Sequence, residues 1–62
     1  MNYKTILDAL KEYGSENVQT KLNEKGGESY CVSYIEKSTK EGISFETALG
    51  WLEQDLSEIY KD

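Results

Sequence analysis

The chain has 62 residues, with 12 acidic and 7 basic side chains, a formal net charge of −5 and a pI near 4.6. All of the basic side chains are lysines, and the sequence contains no arginine, histidine or proline. A chain of this length buries only roughly 60% of the surface of its unfolded form, so its core is thin. Because 37% of the residues are hydrophobic, we expect one folded, acidic domain over residues 1–62 rather than a disordered chain.

The residue inventory excludes most catalytic and metal chemistry. Without histidine the chain lacks the commonest general base, and Cys31 has no imidazole partner to activate it. One cysteine and no histidine cannot supply the four ligands of a structural zinc site. Neither a calcium loop nor a phosphate-binding P-loop motif is present. We therefore expect a protein that is not an enzyme and that binds no metal or cofactor, with Cys31 buried as a small apolar side chain.

The sequence also predicts a cytoplasmic location. No apolar run approaches the ~20 residues that span a bilayer, and the first residues do not form the apolar segment of a secretory signal. The sequence has no polybasic stretch, so an anionic membrane surface would repel this anion. A single cysteine fits a reducing compartment.

Glycines divide the chain into parts that each fit a short helix. Serines follow the first three breaks closely, at Ser15, Ser29 and Ser44, which is typical of a helix that ends before glycine and a next helix that begins after serine. The resulting segments are 2–13, 15–25, 29–41 and 44–61.

The first and last segments have clear helical periodicity. In the first, apolar residues recur every three or four positions, at Tyr3, Ile6, Leu7, Leu10 and Tyr13. In the last, they form one stripe at Phe45, Ala48, Leu49, Leu52, Leu56, Ile59 and Tyr60. Ser44 is the expected N-cap of the last helix.

The middle of the chain allows two interpretations. Residues 29–37 are rich in strand-favouring types, and Val18, Thr20 and Leu22 alternate with polar residues. A period of two gives a β-hairpin over about 16–37 and an αββα fold, whose open strand edges would favour a homodimer. A period of 3.6 gives two further helices. Because the capping pattern repeats in the same order along the chain, we favour an all-α bundle of four short helices.

In its helical form the chain resembles the lambda-repressor/Cro-like helix-turn-helix group. The stretches that carry the resemblance are 10–14 (LKEYG), 18–27 (VQTKLNEKGG), 32–37 (VSYIEK) and 43–49 (ISFETAL). In that family a turn with leucine and glycine precedes the recognition helix. The resemblance implies a dimeric transcriptional regulator that places its third helices in successive major grooves about 34 Å apart. Its DNA-contacting residues would be Ser29, Tyr30, Ser33 and Lys37.

Charge favours a protein partner over direct binding to nucleic acid. DNA affinity depends on cations that neutralise phosphates, and arginine, the best reader of guanine, is absent. Residues 18–40 carry four lysines against three acids, whereas residues 41–62 carry six acids against one lysine. The acids of the last helix could imitate nucleic-acid phosphates and occupy a basic groove.

The sequence therefore predicts a protein-binding regulator or inhibitor that blocks a basic, nucleic-acid-handling protein. Its small size and lysine-only cations suggest an origin in a phage or mobile element. The residues expected to contact the partner combine aromatic side chains, which are frequent in binding hot spots, with carboxylates that attract a basic surface. They are Trp51, Glu53, Asp55, Glu58, Tyr30 and Tyr34.

Overall fold

Four helices joined by short turns make up the computed structural model, which describes residues 2–61. The helices are α1 (Tyr3–Tyr13), α2 (Glu16–Leu22), α3 (Gly27–Lys40) and α4 (Phe45–Ile59). The all-α bundle predicted from the sequence is confirmed. The alternative αββα fold is wrong, because α2 and α3 occupy the residues of the hairpin and no strand occurs in residues 2–61.

Side-chain and glycine caps set most of the helix ends. The Asn2 side chain accepts a hydrogen bond from the N–H of Thr5 (2.9 Å), and Ser44 Oγ accepts one from the N–H of Thr47 (3.3 Å). After α3, Gly42 has a φ of 92° and Ile43 donates to the carbonyl of Ser38 (3.0 Å). This is a Schellman motif, in which a left-handed glycine lets the chain leave the helix.

The turn between α2 and α3 needs two glycines for different reasons. Gly26 has a φ of 77°, in the left-handed region, and is the N-cap of α3. Gly27 has an ordinary φ, but a Cβ on it would lie 1.6 Å from the carbonyl oxygen of Lys21. The helix therefore begins two residues before Ser29, and the prediction of Ser29 as a residue that precedes the helix is wrong.

Helices α2 and α3 lie at the centre of the bundle. Each packs against the other three helices, whereas α1 and α4 make no close backbone contact within the described part of the chain. Residues 41–44 join the end of α3 to the start of α4. Because Tyr30 near the start of α3 reaches Asp55 late in α4, these two helices run antiparallel.

The core combines residues from all four helices. Cys31 and Ile35 of α3 are completely buried, as is Leu52 of α4. Of the strand-favouring residues in segment 29–37, Cys31, Val32 and Ile35 are thus buried on the inner side of a helix, where packing outweighs their local preference. The buried apolar residues are Ile6, Leu10, Val18, Leu22, Cys31, Val32, Ile35, Ala48, Leu52 and Leu56.

The ends of the two predicted apolar stripes lie outside this core. Tyr3 and Tyr13 of α1 and Ile59 of α4 are 44%, 65% and 51% exposed. Each lies in the first or last turn of its helix. Within residues 2–61, none of the helices combines the length and the apolar character that crossing a membrane requires.

Candidate docking surface on helix α4

Helix α4 carries four carboxylates and no cation, and they lie on two opposite sides of the helix. With 3.6 residues per turn, Trp51, Asp55 and Glu58 share one side; we call them the Trp51 flank. Glu46, Leu49 and Glu53 share the other and form the Glu53 flank. The predicted acidic surface is therefore not continuous, since the buried stripe and the solvent-facing side of α4 separate the two flanks.

The Trp51 flank begins with an accessible aromatic ring. Trp51 is 48% exposed, so about half of its side chain is accessible at the surface. Glu58 is exposed one further turn on, beyond the half-buried Asp55. An exposed tryptophan beside carboxylates is suited to binding a cation, because the ring face and the negative charges both attract it.

Tyr30 of α3 extends this surface across to the neighbouring helix. Its hydroxyl donates to Asp55 Oδ2, and the Lys21 ammonium lies 4.8 Å from its ring centroid. The hydrogen bond to Asp55, assisted by partial desolvation and the Asp55 charge, raises the pKa of Tyr30 to about 12. Tyr30 remains 39% exposed, so its ring is available to a partner while its hydroxyl is committed to Asp55.

A second tyrosine–carboxylate pair holds the end of α4. The Tyr60 hydroxyl donates to the Glu24 carboxylate in the α2–α3 turn, and this hydrogen bond raises the pKa of Tyr60 to about 12. Glu24 also lies 3.6 Å from the Lys21 ammonium. These residues were not among the predicted site residues, because the separation of 36 positions between Tyr60 and Glu24 leaves no local sequence pattern.

Glu53 has a structural role on the opposite flank. Its Oε1 accepts a hydrogen bond from the Ser15 N–H (3.1 Å) at the start of α2, where an anion is favoured by the helix dipole. The Ser15 hydroxyl, the predicted cap, is buried and has no hydrogen-bond partner in residues 2–61. Glu53 thus satisfies a donor at the start of α2, and the structure does not bring it together with Trp51.

Gln19 closes the same junction from the side of α2. Its side-chain amide donates to the carbonyls of Leu10 (3.0 Å) and Lys11 (2.9 Å) at the end of α1. Both carbonyls lie in the last turn of α1: the Leu10 carbonyl also accepts the Gly14 N–H (2.8 Å), whereas no helical donor follows for the Lys11 carbonyl. The α1–α2 junction is therefore held by polar side chains from both α2 and α4.

Tyr34, the sixth predicted contact residue, is half-buried and packs against the core. The residues of the DNA-binding alternative have a different environment: Ser29, Tyr30, Ser33 and Lys37 are all exposed on the outer face of α3. Only Tyr30 belongs to both predicted surfaces.

Neither Cys31 nor a cluster of metal-ligating side chains forms a reactive or metal site in residues 2–61. Cys31 is completely buried, and burial raises the pKa of its thiol, so it is an inert apolar residue. No group of three or more cysteine or carboxylate side chains that could hold a metal occurs in the described chain.

Comparisons with known proteins provide no relative. No family model matches the chain, and no curated protein or solved structure has significant similarity to it.

Proposed function

We propose that this chain is a small acidic regulator or inhibitor that docks a basic, nucleic-acid-handling protein through the Trp51 flank and Tyr30. The observation that carries the proposal is the half-exposed indole of Trp51 on a helix with four carboxylates and no cation. Tryptophan and tyrosine are enriched among residues that dominate binding energy. Carboxylates around them favour encounter with a positively charged surface.

Each residue of the Trp51 flank has a different role in the proposed binding. The Trp51 ring offers a face on which an arginine or lysine side chain of the partner stacks. Glu58 is exposed and supplies negative charge that no internal contact uses in residues 2–61. Asp55 keeps its bond to Tyr30, so it holds the second aromatic ring in place and adds charge without rearrangement.

Inhibition follows from occupation of the partner's nucleic-acid groove. Proteins that bind nucleic acids present lysines and arginines to phosphates, and the carboxylates of α4 offer a competing set of anions. The bound domain would block that groove sterically and electrostatically. Binding should weaken as salt is added, because the exposed charges are then screened.

The test is titration of purified basic nucleic-acid-binding proteins into the chain, with Trp51 fluorescence as the signal, and with acidic proteins of similar size as negative controls. A hit is then repeated with Trp51→Ala by calorimetry, using Tyr3→Ala as the matched control. We expect Trp51→Ala to weaken binding by about tenfold or more and Tyr3→Ala to have little effect, because only the former removes a central aromatic contact.

Two charge-reversal variants test whether the location of the negative charge matters. Glu58→Lys and Glu12→Lys change the net charge equally, and both residues are exposed, but only Glu58 lies on the Trp51 flank. Glu58→Lys should weaken binding much more than Glu12→Lys. Equal losses would indicate nonspecific attraction between opposite net charges, and the absence of any basic partner in the panel would contradict the proposal.

A second candidate function is DNA binding of the Cro-like kind. It is favoured by the α2–turn–α3 unit, in which four residues including Gly26 separate the helices, and by the exposed residues Ser29, Ser33 and Lys37 on the outer face of α3. The Tyr30–Asp55 pair opposes it, because a carboxylate beside the reading face repels phosphate. A gel shift at low salt on DNA from upstream of the gene tests it: Lys37→Ala should weaken any shift, and no shift at micromolar protein removes this candidate.

A further inference from the structure

A groove lies between the end of α1 and the start of α4. These two helices make no close backbone contact in the described residues, and the space left between them measures about 390 Å³. It is lined by Tyr13, Phe45, Glu46 and Leu49. Its volume lies within the range of ligand-binding clefts.

The lining is chemically selective. Tyr13 is 65% exposed and therefore accessible to an incoming group, while Phe45 and Leu49 are half-buried and pack against the core. Glu46 is exposed and is the one charged residue of the lining. Aromatic faces beside a carboxylate attract a flat organic cation that also has an apolar part.

The electrostatic surroundings add to this preference. Glu53 lies on the same flank of α4, two turns beyond Glu46, and its carboxylate is held in place by the Ser15 N–H. The whole of α4 lacks a cation. An anionic ligand would therefore be repelled, and a metal ion would find a single carboxylate in the groove where several oxygen ligands are needed.

We propose that this groove binds an arginine side chain of a partner peptide, together with a large apolar residue next to it. The guanidinium group would stack on Tyr13 and pair with Glu46, and the apolar neighbour would cover Phe45 and Leu49. A second copy of the chain fits less well, because it contains no arginine and carries the same net charge of −5. The groove is on the Glu53 flank, so this site is independent of the Trp51 flank.

The experiment is an NMR titration of the isotopically labelled chain with the blocked tripeptide acetyl-Leu-Arg-Leu-amide, compared with acetyl-Leu-Gln-Leu-amide. The arginine peptide should shift the amide signals of Tyr13, Glu46 and Leu49 in a saturable manner. The glutamine peptide, which keeps the apolar residues but not the charge, should bind about fivefold or more weakly. Equal affinity for the two peptides would overturn the proposal.

Two substitutions at the groove have matched controls on other surfaces. Glu46→Gln should weaken the arginine peptide by about fivefold, whereas Glu36→Gln, which removes an exposed carboxylate from α3, should not. Tyr13→Ala should weaken it similarly, whereas Tyr3→Ala at the other end of α1 should not. All four residues are exposed, and thermal melts will show that each variant is folded. Loss of binding in a control as large as in its partner would contradict the assigned contacts.

Two further measurements distinguish the possible ligands of the groove, and a third distinguishes the groove from the Trp51 flank. Arginine ethyl ester that shifts the same signals with equal affinity would identify a free organic cation as the ligand and overturn the peptide assignment. Shifts of these signals on dilution without peptide would indicate a second copy and overturn it too. Trp51→Ala should leave peptide binding unchanged, so failure of the groove and failure of the Trp51 flank are distinguishable.

Discussion

The two flanks of α4 carry two carboxylates each, but these carboxylates have different roles. On the Glu53 flank, Glu53 binds a backbone donor of another helix. On the Trp51 flank, Asp55 holds a tyrosine side chain, and Trp51 and Glu58 are left to solvent. The comparison teaches that an acid-rich helix is not one surface: some of its carboxylates fix the fold, and the others are available for binding.

The largest expected effect on stability comes from a substitution in the buried stripe of α4, which lies between the two flanks. Leu52 is completely buried between them, and Leu52→Ala should lower the free energy of unfolding by about 3 kcal/mol through lost burial and a cavity. Chemical denaturation measures the change. Gln54→Ala, at an exposed position of the same helix, is the control and should alter stability by less than about 0.5 kcal/mol. Similar losses in the two variants would contradict the position of the core.

The next effect tests the difference between the flanks directly. Glu53→Gln should lower stability by about 1 kcal/mol, because a neutral amide replaces the anion that accepts the Ser15 N–H at the start of α2. Glu58→Gln removes the same charge from an exposed position and should change stability by less than about 0.5 kcal/mol. Denaturation curves at low salt compare the two, and equal values would show that the flanks do not differ as described.

A substitution on the solvent-facing side of α4, between the flanks, should raise stability. Gly50 lies within α4, and a Cβ on it would meet no atom within 4 Å. Gly50→Ala should therefore raise stability by about 0.5–1 kcal/mol, because alanine is the better helix former. Gly27→Ala is the matched opposite, since its Cβ would overlap the carbonyl of Lys21. A loss of stability in Gly50→Ala, measured by thermal melting, would contradict the open position of this residue.

The smallest effect concerns the ionisation of Tyr30. Its pKa is raised to about 12 from 10.0, so the folded state holds the phenol proton more tightly than the unfolded state. The stability that this pair contributes is present below pH 10.0 and is lost as the pH rises through about 12. Asp55→Asn should lower the pKa of Tyr30, because the amide still accepts the hydrogen bond but carries no charge.

The measurement is an NMR titration of the Tyr30 ring signals, with Glu58→Gln as the control. Both variants remove one carboxylate from the Trp51 flank, but only Asp55 bonds to the phenol. An unchanged pKa in Asp55→Asn would show that the hydrogen bond does not set the ionisation of Tyr30.

The sequence was sufficient to predict α1 and α4, and it favoured two further helices over a hairpin between them, because several local signals agree. Periodicity defines α1 and α4, and Ser44 and Gly42 lie at the expected caps. The predicted start of α3 was wrong by two residues, because the close approach of Gly27 to Lys21 is a contact between elements that local sequence signals do not show. No local rule distinguishes a glycine needed for its φ from one needed for its small size.

The candidate site was only partly predictable. The helical period places Trp51, Asp55 and Glu58 on one side, and it places Glu53 on the other, although all four were predicted as one surface. The partners of these carboxylates, Ser15 and Tyr30, lie 38 and 25 positions away in the sequence. Such contacts depend on how the helices pack, which composition and periodicity do not determine.

The burial of Cys31 gives the chain an internal probe of its own opening events. A thiol that is completely enclosed reacts with an alkylating agent only during the moments when the bundle separates, so its labelling rate counts those moments without any engineered residue. The fluorescence of Trp51, the single tryptophan, responds to binding at the surface. The unmodified chain thus contains an optical reporter of association in Trp51 and a chemical reporter of transient opening in Cys31.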